Sequence, residues 1–424
     1  MRDVTDVHPE RVGHIAARIG RLLLTNGADT GHTLRRVVMV ADDLGCDAHV
    51  LVTAEAILVT VGSGAQFRTK VGHSIAAMTV DMGKLVAIER VVADIASGAL
   101  APDDVDARLD AIEGGDSGHS AALVMIGVAV TAASLARLFG ADWPVVGAAF
   151  LAGLASTMLR RWLGVRGVNA VAATFLTALL SGLCAICALR LFPGVSPILC
   201  LTAAGMILVP GVPLINGVRD LIDGHSGNGI ARLALGSMTV LTIGFALFVA
   251  AAVAGDALPV GAAPGSLGVG EDLLFSASAA VGYATLFNVS FRALWVCILC
   301  GMASHGLRTA LVHGGLDIAS ASLVGAAAAG IVAGLAGRAY RVPPVAFAFP
   351  GIVAMIPGSY GFRAGIGGLH LMTLGAAAPG TLVAETLSLA ITTIVVTIAI
   401  AIGLSLALAI AAQPRRGAAF PPSR

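Results

Sequence analysis

The segment from 206 to 223 combines helix-breaking residues with charged and amide side chains, in the order MILVPGVPLINGVRDLID. Arg219 and Asp220 follow Asn216 by three and four residues, so a helix would present all three on one face. That face would offer a cation, an anion and an amide. A zwitterion such as a free amino acid needs an anion for its ammonium group and a cation for its carboxylate. The alternative is an ordinary helix end with charges beside a membrane.

Pro210, Gly211 and Pro213 interrupt the same segment inside an otherwise apolar run. Proline removes an amide donor and glycine loosens a helix, so carbonyl and amide groups are freed in this stretch. Freed backbone groups at membrane depth are tolerated only where they face protein or a cavity. We therefore expect a broken helix beside a binding site.

A similar interruption occurs at 349–365, in the order FPGIVAMIPGSYGFRAG. Pro357 and Gly358 break the helix there, and we predict that this segment flanks the same central site from the other side of the membrane. The alternative is a hairpin whose glycines serve only close packing. The polar residues that follow the break are Ser359, Tyr360 and Arg363.

Two sequence repeats indicate that the apolar part of the chain is duplicated. GLASTMLR at 153–160 recurs as GMASHGLR at 301–308, and Pro210-Gly211 recurs as Pro357-Gly358 after 147 residues. Duplicated membrane bundles are a common construction of secondary transporters. We therefore predict a transporter, and we interpret the repeated Gly-x-Ala-Ser as a site of close helix packing.

Glu385 is an acid within a long apolar run. A carboxylate inside a bilayer is costly and usually functional, and a carboxyl group can carry a proton. We predict that Glu385 couples transport to protons, with Asp220 as the second candidate. The alternative is a glutamate at the membrane interface.

The composition separates a membrane part from a soluble part. The chain is 57% hydrophobic and 12% charged, with a mean hydropathy of +0.90, whereas soluble proteins are about 25% charged. Residues 1–118 hold 17 of the 25 acids and 11 of the 26 bases. Alternating helical and β-rich patterns in this range predict an α/β domain, with helices at about 10–26 and 30–44 and strands between 49 and 71.

After residue 118, ten apolar spans can be separated at polar or Gly/Pro breaks. Ten spans divide into five plus five, and an odd number in each half places the second copy in the opposite orientation. Eleven of the fifteen arginines after Ser120 lie inside if both termini are cytoplasmic. The predicted architecture is a polytopic α-helical membrane protein with two inverted five-helix repeats. Its parts are a cytoplasmic α/β domain at 1–118, the first repeat at 119–256, an outer loop at 257–272, the second repeat at 273–412 and a cytoplasmic tail at 413–424.

Other chemistry has little support in the sequence. Cys184-x-x-Cys187 and Cys297-x-x-Cys300 have metal or redox spacing but lie in apolar runs, so we expect small buried thiols, with no metal and no cofactor. A net charge of +1 without a basic stripe argues against nucleic acid. The expected partners are a small substrate, protons and the lipid bilayer, and a homo-oligomer stays open.

Four segments together resemble the threonine/serine exporter family in its fused single-chain form. They are RLLLTNGADT, LGCDAHVLVTAEAILVTV, VPGVPLINGVRDLIDG and IPGSYGFRAG. The resemblance extends from about Val12 to Ala411. It implies export of small hydrophilic amino acids such as threonine and serine across the bacterial inner membrane, driven by the proton motive force. Related split systems are associated with dicarboxylate export.

Two alternatives remain at this point. A dicarboxylate exporter would need two cations, which Arg219 and Arg363 could supply. A membrane-anchored hydrolase or sensor would use polar residues of the soluble domain, but these do not form a set of nucleophile, base and orienting group. We therefore expect no enzyme activity. The polar residues in question are Asp29, Thr30, Thr53 and Glu55.

Overall fold

The protein is described here from a computed structural model. The structure describes residues 8–63, 66–72, 79–115, 118–191, 205–254, 260 and 267–412. The predicted tail and most of the predicted outer loop lie outside the described residues, and so do residues 197–204 of the fourth of the ten predicted spans, which was expected at about 197–217.

The N-terminal part folds as four helices and a three-stranded sheet, which include the predicted helices at about 10–26 and 30–44 and the predicted strands between 49 and 71. The sheet is antiparallel in the order β1-β2-β3. Ile57, Val59 and Val61 on the central strand are fully buried, and α1 packs its apolar stripe against this face. The elements are α1 (Pro9–Thr25), α2 (Thr30–Asp43), β1 (Asp47–Val52), β2 (Ile57–Ser63), β3 (Gln66–Gly72), α3 (Met82–Ala96) and α4 (Val105–Gly114).

The rest of the described chain is helical. A π-helical segment, Met302–Gly306, joins α11 to α12, and short 3-10 turns lie at Phe291–Ala293, Val353–Met355 and Gly375–Ala377. The helices are α5 (Ala121–Leu138), α6 (Trp143–Val165), α7 (Ala170–Leu191), α8 (Gly211–Ile222), α9 (Ser226–Ala254), α10 (Val269–Leu286), α11 (Leu294–Gly301), α12 (Leu307–His313), α13 (Ile318–Tyr340), α14 (Val345–Ile352), α15 (Gly358–Leu374) and α16 (Gly380–Ala412).

By length and composition, seven helical segments within the described residues can cross a membrane. The number becomes eight if Val345–Met355 and Gly358–Ala377, which meet at a bend of 45°, form one span. The chain is therefore a multi-pass membrane protein. Ten spans and an inverted repeat remain predictions, because α8 and α14 are shorter than a bilayer core requires and part of the fourth predicted span is outside the described residues.

The two Pro-Gly pairs break the helices in the same way. α8 begins at Gly211 and α15 begins at Gly358, each directly after its proline. The amide of Gly211 donates to the carbonyl of Val209 at 2.9 Å, and that of Gly358 donates to the carbonyl of Ile356 at 2.7 Å. The duplicated sequence therefore produces a duplicated local backbone geometry.

The repeated Gly-x-Ala-Ser lies where helices approach closely, as predicted. A Cβ on Gly153 would lie 3.1 Å from the Cβ of Ala132 on α5. A Cβ on Gly301 would lie 2.8 Å from the Cβ of Ala280 on α10. Each glycine thus lets its own helix pack closely on the first helix of its half.

The N-terminal domain packs on both halves of the helical part. The Asn288 side chain, just after α10, donates to the Asp81 carboxylate at 2.8 Å, and the amide of Met82 donates to the carbonyl of Phe287 at 2.8 Å. A second contact, between the α1–α2 turn and helices α8 and α9, forms the candidate site described next.

Candidate functional site

The three polar residues of α8 lie together on one helix face, as their spacing predicted. Asn216, Arg219 and Asp220 are 1%, 8% and 0% exposed. The Arg219 guanidinium donates to the Asn216 side-chain oxygen at 3.3 Å and to the Ser405 hydroxyl of α16 at 3.3 Å. This face is therefore inside the protein, although Arg219 and Asp220 lie in the last turn of α8.

The turn between α1 and α2 covers this face. The Asp29 carboxylate lies 3.0 Å from the Arg219 guanidinium. The Thr30 amide donates to one oxygen of Asp220 at 2.9 Å, and the Thr30 hydroxyl donates to the other at 3.0 Å. The Asn216 amide group donates to the carbonyl of Gly27 at 3.0 Å. No signal in the sequence predicted that the N-terminal domain would cover this face.

Local sequence fixes the shape of this turn. Gly27 has a φ of +105°, a conformation that favours glycine, and it ends α1 directly after Asn26. Asp29 begins α2 as its N-cap, because its carboxylate accepts from the His32 amide at 2.7 Å. The first residue of α2 is Thr30, so its amide and hydroxyl both point outward from the helix start toward Asp220.

Two residues of α9 complete the site, and the sequence analysis missed both. The Arg232 guanidinium lies 3.1 Å from Asp220 as an ion pair and donates to the carbonyl of Ala28 at 3.1 Å. The Asn228 side chain donates to the Thr30 hydroxyl at 3.1 Å. Arg232 carried no local signal of this role, because it lies twelve residues after Asp220 on another helix, which is no helical spacing.

The site holds two acids and two bases, so its formal charge is balanced. Burial alone raises the pKa of Asp29, but the positive charge of Arg219 and the interactions with His32 outweigh it and lower the pKa to about 2. Asp29 is therefore ionised at neutral pH. Paired charges of this kind tolerate burial, whereas an unpaired one would be costly.

The polar residues of the second segment are in a different environment. Arg363 on α15 is 8% exposed, and its guanidinium donates to the carbonyl of Val260 at 3.0 Å. Ser359 is buried and Tyr360 is half-buried. The structure thus gives Arg219 a carboxylate partner and Arg363 a backbone carbonyl, rather than one shared anion site.

The two helix breaks touch one another. A Cβ on Gly211 would lie 2.2 Å from the Cδ1 of Ile356, and a Cβ on Gly358 would lie 2.5 Å from a γ-carbon of Val209. A cavity of about 10 Å³ lies at this contact, which is room for about one water molecule. It is too small for an amino acid. Its lining is Leu135, Met206, Val209, Gly211, Tyr283, Val353, Ile356 and Gly358.

The two predicted proton carriers differ in exposure. The Glu385 side chain, on the second turn of α16, is exposed. Asp220 is fully buried between Thr30 and Arg232. Exposure alone does not test a proton-carrying role, which stays a prediction for both residues.

A buried polar cluster in the second half was missed by the sequence analysis. Asp272 accepts from the Thr309 hydroxyl at 2.7 Å and lies 2.8 Å from the Nδ1 of His305, whose Nε2 is 2.7 Å from Arg308. Asp272 belongs to the first turn of α10, although it was expected in the outer loop. The sequence repeat could have pointed to this cluster, because the second copy has a histidine, His305, where the first copy has Thr157.

Comparisons with known proteins agree with the resemblance of the motifs. The profile of the threonine/serine exporter family matches residues 14–254, more than half of the chain, and a second profile described as Threonine/Serine exporter, ThrE, matches residues 272–410. A curated threonine/serine exporter from Corynebacterium glutamicum is 24% identical over 387 residues, which cover 88% of this chain and 79% of that protein. No solved structure matches.

Proposed function

The chain belongs to the threonine/serine exporter family, and we propose that it exports threonine, serine and similar small hydrophilic amino acids. Family membership implies a transporter rather than an enzyme. We place it in the bacterial inner membrane with both termini in the cytoplasm, because that orientation puts eleven of fifteen arginines inside.

One observation carries this proposal most directly. Arg219 and Asp220 are adjacent, buried and held on one face of a short helix that follows a backbone break. The pair can bind the carboxylate and the ammonium of one amino acid, with Asn216 as a further polar contact. Pro210 and Pro213 keep the chain from forming one uninterrupted helix at this depth.

We propose that transport proceeds by alternating access around the two breaks. The equal backbone geometry at Gly211 and Gly358 supports this, and so does their mutual contact. The antiparallel contact of α5 with α10 also supports an inverted relation: Arg137, at the end of α5, pairs with Glu271, at the start of α10, and the Thr131 hydroxyl is 3.5 Å from the carbonyl of Ala279. Ser359, Tyr360 and Arg363 would then face the substrate when the outer side opens.

We propose that the proton motive force drives export. Asp220 and Glu385 are the carriers predicted from sequence, and the Asp272–His305 pair is a third. We rank the Asp272–His305 pair above Glu385, because both of its side chains are buried and hydrogen-bonded to each other. The pair also has a path to the second break, because Arg308 reaches the carbonyl of Met355.

Counterflow in proteoliposomes tests the substrate. Vesicles loaded with unlabelled threonine or serine should accumulate labelled threonine, whereas vesicles loaded with succinate should not. Asp220→Asn should reduce this exchange at least tenfold, because loss of the charge removes the partner of the ammonium group. The control is Asp223→Asn, since Asp223 is exposed three residues further on.

Counterflow of labelled succinate into succinate-loaded vesicles, without counterflow of threonine, would replace the proposal with dicarboxylate export. Equal exchange in Asp220→Asn and Asp223→Asn would remove α8 from the substrate site and leave its charges with a purely structural role.

A further inference from the structure

The atoms of Thr30 that bind Asp220 are the same atoms that define the substrates proposed above. Its nitrogen, Cα, Cβ and hydroxyl oxygen form the amino-alcohol unit of threonine and, without the methyl group, of serine. The nitrogen and the hydroxyl each donate to one oxygen of Asp220, at 2.9 and 3.0 Å. The turn thus presents a threonine-like group to a carboxylate that the proposed function assigns to substrate.

The hydroxyl of Thr30 is both a hydrogen-bond donor and a hydrogen-bond acceptor. It donates to Asp220 and accepts from the Asn228 side chain at 3.1 Å. A hydroxyl can donate and accept at once, whereas a methyl group can do neither. A site built from Asp220 and Asn228 therefore distinguishes threonine and serine from valine and alanine, because binding the latter would leave buried polar groups unpaired.

The neighbouring residue supplies the missing charge. The Asp29 carboxylate lies 3.0 Å from Arg219, where the carboxylate of a free amino acid would be bound. Asp29 thus pairs with Arg219, and Thr30 forms hydrogen bonds with Asp220 and with the Asn228 amide group. Both are buried, at 5% and 1% exposure, so a free amino acid and the turn cannot occupy the site together.

We propose that the Asp29–Thr30 turn is a built-in substrate mimic that closes the amino-acid site from the side of the soluble domain. This inference rests on the proposed function. Substrate and turn compete for Asp220, Arg219 and Asn228. Export of an amino acid begins when the turn leaves and the free amino acid replaces it.

Charge favours the free amino acid over the turn in the competition for Asp220. Thr30 offers a neutral amide to Asp220, whereas a free amino acid offers an ammonium group, and charge-assisted hydrogen bonds are about twice as strong as neutral ones. The turn has the opposing advantage of being tethered, which gives effective concentrations of the order of millimolar for short flexible links. The site therefore responds to substrate that has accumulated rather than to traces of it.

Hydrogen exchange of the full-length protein in nanodiscs tests the mimic without measuring transport. Threonine and serine should accelerate amide exchange in residues 27–33, because they displace the turn, while exchange in β2 stays constant. Valine, which has the shape of threonine but no hydroxyl, should have at least tenfold less effect at equal concentration.

Variants of the turn provide the second arm. Thr30→Val removes the hydroxyl at constant shape and should raise the basal exchange of the turn about tenfold or more. Thr30→Ser keeps the hydroxyl and should retain the basal protection. Asp29→Asn keeps a good N-cap for α2 but loses the charge on Arg219, so it should also loosen the turn. Asp42→Asn, on the exposed side of the same helix, is the matched control.

The outcomes separate this inference from the proposed function. Threonine counterflow together with an unchanged exchange rate of the turn at saturating threonine would overturn the mimic, and the contact would be a permanent domain anchor. Equal responses to threonine and valine would overturn the hydroxyl selection. Failure of threonine counterflow itself would instead overturn the proposed function.

Discussion

Removal of the Asp272 carboxylate should destabilise the protein far more than removal of its neighbour's charge. The Asp272 side chain is 3% exposed, and it contacts the His305 ring at 2.8 Å and the Thr309 hydroxyl at 2.7 Å. Asp272→Ala would leave these two groups, and Arg308 beyond them, without their anion inside the helical part. Hydrogen bonds to a charged group contribute about 1.5–3 kcal/mol each, and this substitution removes two of them.

Glu271 is the matched control, because it precedes Asp272 directly and also pairs with a base. Its partner is Arg137 at 2.5 Å, but the two side chains are 35% and 20% exposed. Water screens a pair at this exposure, so Glu271→Gln should cost about 1 kcal/mol or less. The two substitutions should therefore differ by at least about 2 kcal/mol in the free energy of unfolding.

Unfolding in mixed micelles by titration with a denaturing detergent measures this difference. The loss of unfolding free energy in Asp272→Asn should lie between those of Asp272→Ala and Glu271→Gln, because the amide keeps one acceptor oxygen but loses the charge. Equal midpoints for Asp272→Ala and Glu271→Gln would refute the reasoning, since the Asp272 cluster would then be as well hydrated as a surface pair.

The helix breaks, the proton carrier and the domain contact each give one more expected outcome. Gly358→Val should slow counterflow at least tenfold, because its side chain would collide with Val209 at the contact of the breaks; normal exchange would mean that the breaks do not close on each other. His305→Asn should abolish uphill export while exchange continues, whereas Glu385→Gln should retain both; the opposite pattern would assign the proton to Glu385. The stabilisation that the ionised Asp29 carboxylate gives to the contact between the turn and α8 should stay constant from pH 5 to 8. It should be lost only below about pH 4, because the folded pKa of Asp29, about 2, lies below the unfolded value of about 3.9. Hydrogen exchange of the turn, measured as a function of pH, tests this.

The sequence predicted the local elements well because their signals are local. Helical spacing and caps marked α1 and α2, and the Pro-Gly pairs marked the starts of α8 and α15. The grouping of Asn216, Arg219 and Asp220 also followed from spacing within one helix.

Contacts between distant parts of the chain carried no such signal. Thr30 meets Asp220 across 190 residues, and no periodicity or spacing relates two such positions. Asp272 was missed for a different reason. Charges near a predicted loop are usually solvated, whereas this one is buried where α10 meets the π-helical segment and α12, through His305 and Thr309.

The separation of these partners also sets an order of events in biosynthesis. The α1–α2 turn leaves the ribosome before Asp220 does, and at about 5–20 residues per second the delay for 190 residues is roughly 10–40 s. Arg219 then waits for Ser405, a further 186 residues away on the last described helix. A nascent chain therefore lacks the Arg219–Ser405 contact, and with it the closed surroundings of Arg219, until its last described helix has been synthesised.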